Sequence, residues 1–240
     1  MNEQGYSQQI EDYWGTLWKQ QKSGLDLCER HVRFKFAYFL RPALDNLPQG
    51  ASVCEIGSGN CQWLLLCKAY RPDIKLAGVD LSETASEIAQ HLGIQHCRAD
   101  IRSVPLPDAC YDFVYSFGVI EHVHETLHAY REQYRLARTY CVVDVPNLYS
   151  LPAFSTIRAV KRRNLSAYED MIEFGKRFTP VAFKKMTQEV IGTDTVNVTY
   201  RANYLVFPHI RGWGTKLDQF CPDWLRASIG HNIGAIIKKG

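Results

Sequence analysis

Long apolar runs are missing from this chain of 240 residues. No stretch approaches the roughly 18 to 20 uncharged apolar residues of a membrane-spanning helix, so no stable membrane insertion is expected. The opening, MNEQGYSQQIEDYW, has neither the basic nor the apolar region of a secretory leader, and a cytoplasmic location is the expectation. Charge of one sign is not in excess: 28 Lys and Arg face 25 Asp and Glu, and this balance predicts no nucleic-acid partner. No Cys-x-x-Cys pair occurs among the eight cysteines, which are read as buried free thiols rather than disulfides or a metal cluster. The absence of GxxxxGK[ST] excludes a P-loop. Internal repeats and Gly/Ser- or Pro-rich linkers are absent too.

What the chain does have is an alternation of short β-branched apolar runs with longer helical patterns. It predicts an α/β, Rossmann-like, mostly parallel seven-stranded sheet with helices on both faces. Strands are expected at Ser52 to Ile56, Lys75 to Val79, Ile94 to Cys97, Phe113 to Ser116, Tyr140 to Val145, Thr195 to Tyr200 and Ile233 to Ile237. Helices are expected at Cys61 to Tyr70, Thr84 to His91, Glu125 to Ala137 and Pro180 to Val190. Before the sheet, WGTLWKQQ and Arg33 to Leu40 read as helices broken near Gly24 and Pro42. The expected organisation is an N-terminal helical lid (1–50), a ligand-binding core (51–145), an inserted cap (146–186) and a return to the sheet (187–240). Charge is segregated among these parts: segment 146–186 has eight basic and three acidic residues, a net of +5 within a total of +3.

The most informative stretch is Val53-Cys54-Glu55-Ile56-Gly57-Ser58-Gly59-Asn60, a strand ending in two glycines one residue apart. Glycines permit a tight strand-to-helix turn and let a nucleoside ligand lie against bare backbone at the strand's carboxyl end. A dinucleotide GxGxxG would need glycine where Gln62 stands, which argues against nicotinamide. The next strand ends in Asp80, placed to accept hydrogen bonds from a ribose diol, while Ser82 serves as the cap of the following helix. The third strand leads to Ala99-Asp100-Ile101, where Asp100 suits the exocyclic amine of adenine and Ile101 and Leu81 suit its faces. The fourth, Tyr111 to Ser116, runs into Phe117-Gly118-Val119-Ile120-Glu121-His122-Val123.

Together these motifs, in this order and spacing, resemble the class I S-adenosylmethionine-dependent methyltransferases. The resemblance covers about residues 50 to 145, and Ile-Glu-His-Val, Val145-Pro146-Asn147 and Phe178-Thr179-Pro180 are similar to the small-molecule group akin to the ubiquinone-biosynthesis enzymes. It implies S-adenosylmethionine as cofactor and S-adenosylhomocysteine as product. Glu55, Gly57, Ser58 and Gly59 would line the methionine part, Asp80 would bind the ribose hydroxyls, and Asp100 with Ile101 and Leu81 would hold the adenine. Ser116, Phe117 and Gly118 would wall the sulfonium. Two departures stand out: Cys61 replaces the third glycine, which is tolerable if that position already lies in the helix, and Arg135 to Thr139 replaces a Lys-Pro-Gly-Gly turn, which bears on the sheet's outer edge.

Methyl transfer asks a protein mainly to align a nucleophile, exclude water and, for O–H or N–H acceptors, remove a proton. His122 is the first candidate base and His124 the second, and Tyr13 of the lid is the aromatic site candidate, ahead of Tyr6, Trp14 and Trp18. Glu121, His122, His124, Glu125 and His128 do not make a recognisable metal set, and no metal is expected. The expected substrate is a small metabolite or natural-product intermediate methylated on O or N, with C-methylation open. The basic segment favours an anionic group on it. A protein or lipid-headgroup acceptor, or a non-catalytic S-adenosylmethionine-binding module, are the alternatives, and oligomeric state is left open.

Overall fold

In a computed structural model of the chain, residues 16, 30–150, 175–202 and 229–240 are described. Tyr6, Tyr13, Trp14 and Trp18, Cys28, Cys221 and the basic run at Arg158 and Lys161 to Arg163 lie outside them. The described residues form one seven-stranded sheet. Its strands are β1 (Ser52–Ile56), β2 (Lys75–Asp80), β3 (Gln95–Arg98), β4 (Tyr111–Phe117), β5 (Ala137–Pro146), β6 (Val196–Ala202) and β7 (Asn232–Lys239). The order is β3-β2-β1-β4-β5-β7-β6, parallel through β5, with β7 antiparallel to both β5 and β6. All seven expected strands are present. The chain leaves β1 toward β2 on one side and returns to β4 on the other, so a crevice opens beyond the carboxyl ends of β1 and β4.

The helices are α1 (Arg30–Lys35), α2 (Arg41–Leu44), α3 (Gln62–Tyr70), α4 (Glu83–His91), α5 (Thr126–Leu136) and α6 (Pro180–Ile191). Two apolar layers sandwich the sheet. One gathers Ile56, Val79, Ile101, Tyr130 and Phe183, the other Phe36, Phe39, Leu44, Leu64, Phe113 and Tyr115. Strands such as Cys141-Val142-Val143 are buried on both faces because helices cover both, which is why they read as continuous β-branched runs. Phe36, Phe39, Leu40, Ala43 and Leu44, ahead of the sheet in sequence, belong to the second layer. Phe39 and Leu40 are fully buried, and each such side chain is worth roughly 2 kcal/mol of burial.

The sequence reading needs correction at three points. No break occurs at Pro42: a π-helical turn, Phe36–Leu40, joins α1 to α2, and the Arg41 amide donates to the Phe36 carbonyl five residues back. Pro42 then sits in the first turn of α2, where its missing N–H costs nothing. Ala137 starts β5 instead of ending α5, so helix passes into strand without the expected turn, and the β4–β5 register slips between Tyr111 and Phe113. Cys61 is not inside α3 but precedes it as the N-cap in the left-handed region, with φ 60°. A glycine would adopt that backbone freely, whereas cysteine there costs about 1 kcal/mol.

Candidate active site

The turn after β1 is locked to the end of β2. The amides of Gly57 and Ser58 both donate to the Val79 carbonyl, at 2.7 and 3.2 Å, and the Cys61 amide closes the turn on the Ser58 carbonyl at 2.7 Å. Gly57 has φ +68°, and a Cβ there would lie 2.5 Å from the Val119 side chain, so no larger residue fits between the β1 and β4 loops. Asp80 stands at the tip of β2. One carboxylate oxygen accepts from the Gly59 amide and the other from the Ser82 amide, both at 2.9 Å. Ser82, as expected, caps α4 by accepting from Ala85.

Asp100 follows β3 at the same edge, since the Ala99 amide donates to the Asp80 carbonyl. Arg102, which sequence reasoning missed, grips it: Nε contacts both carboxylate oxygens at 3.0 and 3.1 Å, and the Arg102 amide donates to one of them at 2.9 Å. Burial pushes the Asp100 carboxyl up, but the Arg102 contacts outweigh it and hold the group below its usual range. Ile101 is buried in the first apolar layer and Leu81 is half-buried.

At the end of β4, Ser116 is fully buried, Phe117 packs edge-on against Trp63 at 5.0 Å, and Gly118 turns the chain with φ +68°. The Gly118 amide donates to Asp144 of β5 at 3.1 Å. Asp144 is wholly buried, pairs with Lys35 of α1 at 3.0 Å and accepts from Asn232 of β7 at 2.9 Å. Lys35 also lies 4.8 Å from the Phe117 ring centroid. Sequence reasoning missed Lys35, Asp144 and Asn232 because they come from three elements far apart in the chain, and no local motif signals them.

His122 and Glu121 share the 3-10 turn Ile120–His122. His122 is half-buried, and its ring borders Gly175. Glu121 is buried, and burial pushes its carboxyl up to about 8, with Asp144 adding to the rise and Lys35 and Arg177 opposing it. Glu55 is buried on β1, and desolvation holds its carboxyl well above the usual range against the Tyr115 hydroxyl. His124 and His128 are exposed, the latter 3.6 Å from Glu125. Among the described residues no group of three or more His, Cys, Asp or Glu could hold a metal ion. The described cysteines are all free, and burial raises Cys61 and Cys141 to about 12.

Four buried polar atoms lack a hydrogen-bond partner among the described residues at the ends of β1 and β4: Glu55 Oε2, Ser58 Oγ, Ser116 Oγ and Glu121 Oε2. Buried polar atoms are rarely left so, and here they flank the glycine turn. Bare backbone at Gly57 and Gly59, a carboxylate at Asp80 and another at Asp100 fit a ligand with an amino-acid end, a ribose and an amino-substituted base. Residues 54–140 match the family model described as a methyltransferase domain. The chain carries a class I S-adenosylmethionine-dependent methyltransferase domain.

A search of curated proteins gives no match to this methyltransferase. Among solved structures, it is similar to an S-adenosylmethionine-dependent methyltransferase from Thermotoga maritima described as a possible histamine N-methyltransferase. That likeness has a TM-score of 0.61 at 19% identity, over 97% of this chain and 99% of that one. The plantazolicin methyltransferase BpumL, solved with a desmethyl-plantazolicin analogue and S-adenosylhomocysteine, aligns at 0.54 and 14% identity over 99% and 90% of the chains. A Rhodobacter sphaeroides protein described as a zinc-dependent alcohol dehydrogenase aligns at 0.62 with 12% identity over 98% of each chain. Such likeness speaks to fold alone. The sequence match over 54–140 and the bare glycine turn are what distinguish methyl transfer from other chemistry on a Rossmann-like sheet.

Proposed function

We propose that this enzyme transfers the methyl group of S-adenosylmethionine to an oxygen or nitrogen atom of a small metabolite or natural-product intermediate. The observation that carries the acceptor class is the roof over the end of β4. Residues Gly175 to Phe178 run across it, joined by the Lys176 amide to the Glu121 carbonyl at 2.9 Å and by Phe178 to both Pro146 and Leu148. A Cβ on Gly175 would lie 2.7 Å from Glu121 Cγ, so this roof is close-packed. An enclosed edge suits a small acceptor rather than an extended macromolecular one.

Glu55, Gly57, Ser58 and Gly59 would hold the methionine part of the cofactor, Asp80 its ribose, and Asp100 with Ile101 and Leu81 its adenine. Ser116, Phe117 and Gly118 would wall the reacting centre. When bound, S-adenosylmethionine supplies a methyl group on a good leaving group. The protein's part is therefore to orient the acceptor and exclude water, and an O–H or N–H acceptor adds the need for a base. His122 follows β4 at this edge, and Tyr13, outside the described residues, is the aromatic candidate of the N-terminal lid. The basic segment 146–186 supports an anionic group on the acceptor, and of its described cations Arg177 lies near enough to Glu121 to act on that carboxyl. Lys176 is spent on the carbonyls of Val123 and His124, at 3.3 and 2.7 Å, and Lys184 and Lys185 are exposed on α6.

The test is methyl-tritiated S-adenosylmethionine incubated with a panel of catechols, phenols and primary amines, and in parallel with whole cell extract. Label in small products is expected. Label confined to protein or lipid would overturn the acceptor class, and no transfer to any acceptor despite S-adenosylhomocysteine binding would favour the non-catalytic alternative.

A further inference from the structure

We propose that Glu121, rather than the neighbouring His122, is the proton acceptor for methyl transfer. The proposal rests on the reading above that the acceptor atom is O or N. Glu121 is 2% exposed, and its Oε2 has no hydrogen-bond partner among the described residues. Its Oε1 lies 3.6 Å from where a Gly118 side chain would begin, so the carboxyl group is aimed at the turn beside the reacting centre. Gly175 packs over its Cγ, 2.7 Å from where a Cβ on that glycine would begin. His122 borders the same Gly175 through its ring, with Cε1 and Nδ1 3.0 and 3.1 Å from the site of a Cβ. Its imidazole thus packs against the roof segment, and no atom of it comes within 4 Å of a Cβ on Gly118, as Glu121 Oε1 does.

The charged groups around Glu121 set its task. Asp144 on β5, paired with Lys35 of α1, lies on one side, and Arg177 of the roof segment on another. A buried carboxyl with an unmet hydrogen-bonding atom next to an ion-paired carboxylate gains from an incoming O–H or N–H donor, and it gives up a proton near neutral pH. In the step, the acceptor's proton passes to the Glu121 carboxylate while the acceptor's electron pair forms the bond to the methyl carbon. The carbon–sulfur bond breaks with its pair left on sulfur, which gives the neutral thioether, and Glu121 then returns the proton to solvent. Atoms and charge balance without an oxidant or metal.

Glu121→Gln keeps the shape and removes the base. With the catechol or amine that the wild type methylates, kcat should fall by about 100-fold or more. S-adenosylhomocysteine affinity, measured by calorimetry, should stay within about threefold, well under one tenfold step of binding energy. The acid limb of the pH–rate profile should disappear in Glu121→Gln and persist in His122→Gln. The reverse pattern would assign the role to His122 and overturn the proposal, as would unchanged kcat in Glu121→Gln. A second readout needs no acceptor: infrared difference spectra of the ligand-free wild type against Glu121→Gln should show a protonated carboxyl band in mild acid that fades around pH 8. Absence of that band means Glu121 does not hold the proton and overturns the assignment. A wild type that methylates only thiolates or carboxylates, which need no base, would defeat both the O/N reading and the base role. There the band would still be present, so the two failures are distinguishable.

Discussion

Glu121→Gln should stabilise the fold, and by more as the pH rises. The carboxyl titrates near 4.5 in an unfolded chain and at about 8 in the folded one, because burial, then Asp144, disfavour its anion more than its own backbone amide, Lys35 and Arg177 favour it. Between those values the folded state holds a proton that the unfolded state has lost, so stability declines as pH climbs through the window and the loss is complete above about 8. The full shift corresponds to on the order of 5 kcal/mol, and the part falling between about pH 5 and about pH 8.5 to roughly 4 kcal/mol. Glutamine cannot ionise and escapes this cost. Urea unfolding of both proteins across that range isolates the term, since Asp144, Lys35, Arg177 and His122 are common to both. A stability difference that widens by several kcal/mol toward high pH is expected. A constant difference, or one that widens toward acid, would refute the protonated state assigned to Glu121.

Other perturbations follow from the same geometry. Gly57→Ala forces a Cβ to 2.5 Å from Val119 at φ +68°, so it should cost roughly 2 to 4 kcal/mol in thermal unfolding and weaken S-adenosylhomocysteine binding; unchanged stability and binding would contradict the tight-turn assignment. Lys35→Met leaves Asp144 buried without its ion-pair partner and should destabilise by about 3 kcal/mol, while Lys35→Met with Asp144→Asn recovers much of that loss in a double-mutant cycle; additivity in the cycle would deny the coupling.

How much of this was legible in the sequence depends on how local each signal is. β1, its glycine turn and Asp80 are a contiguous strand–turn–helix and an acid at the next strand's tip, so spacing alone located them. The strand ends drifted by one to three residues, because where a ladder stops depends on its neighbours: β5 begins at Ala137 only because it pairs with Tyr111 and Lys239 holds its carbonyl. Pro42 was misjudged because the chain changes from a π-helical to an α-helical turn there, so that the proline falls in a first turn, where an N–H is not needed. Cys61 shows the converse, a strained backbone that no side-chain chemistry announces. The Lys35–Asp144–Asn232 cluster was invisible for another reason, since it unites α1, β5 and β7 across 197 residues. Arg102 was a missed local signal: an arginine two residues after a site carboxylate is well placed to fork onto it.

The most direct test is calorimetric titration of S-adenosylhomocysteine into the wild type and Asp80→Ala. The wild type should bind, and Asp80→Ala should bind at least about tenfold more weakly, since it loses hydrogen bonds from the ribose to a charged acceptor and frees the Gly59 amide. A wild type that binds no S-adenosylhomocysteine would contradict the cofactor site as a whole, and equal affinity in the two proteins would contradict the role given to Asp80.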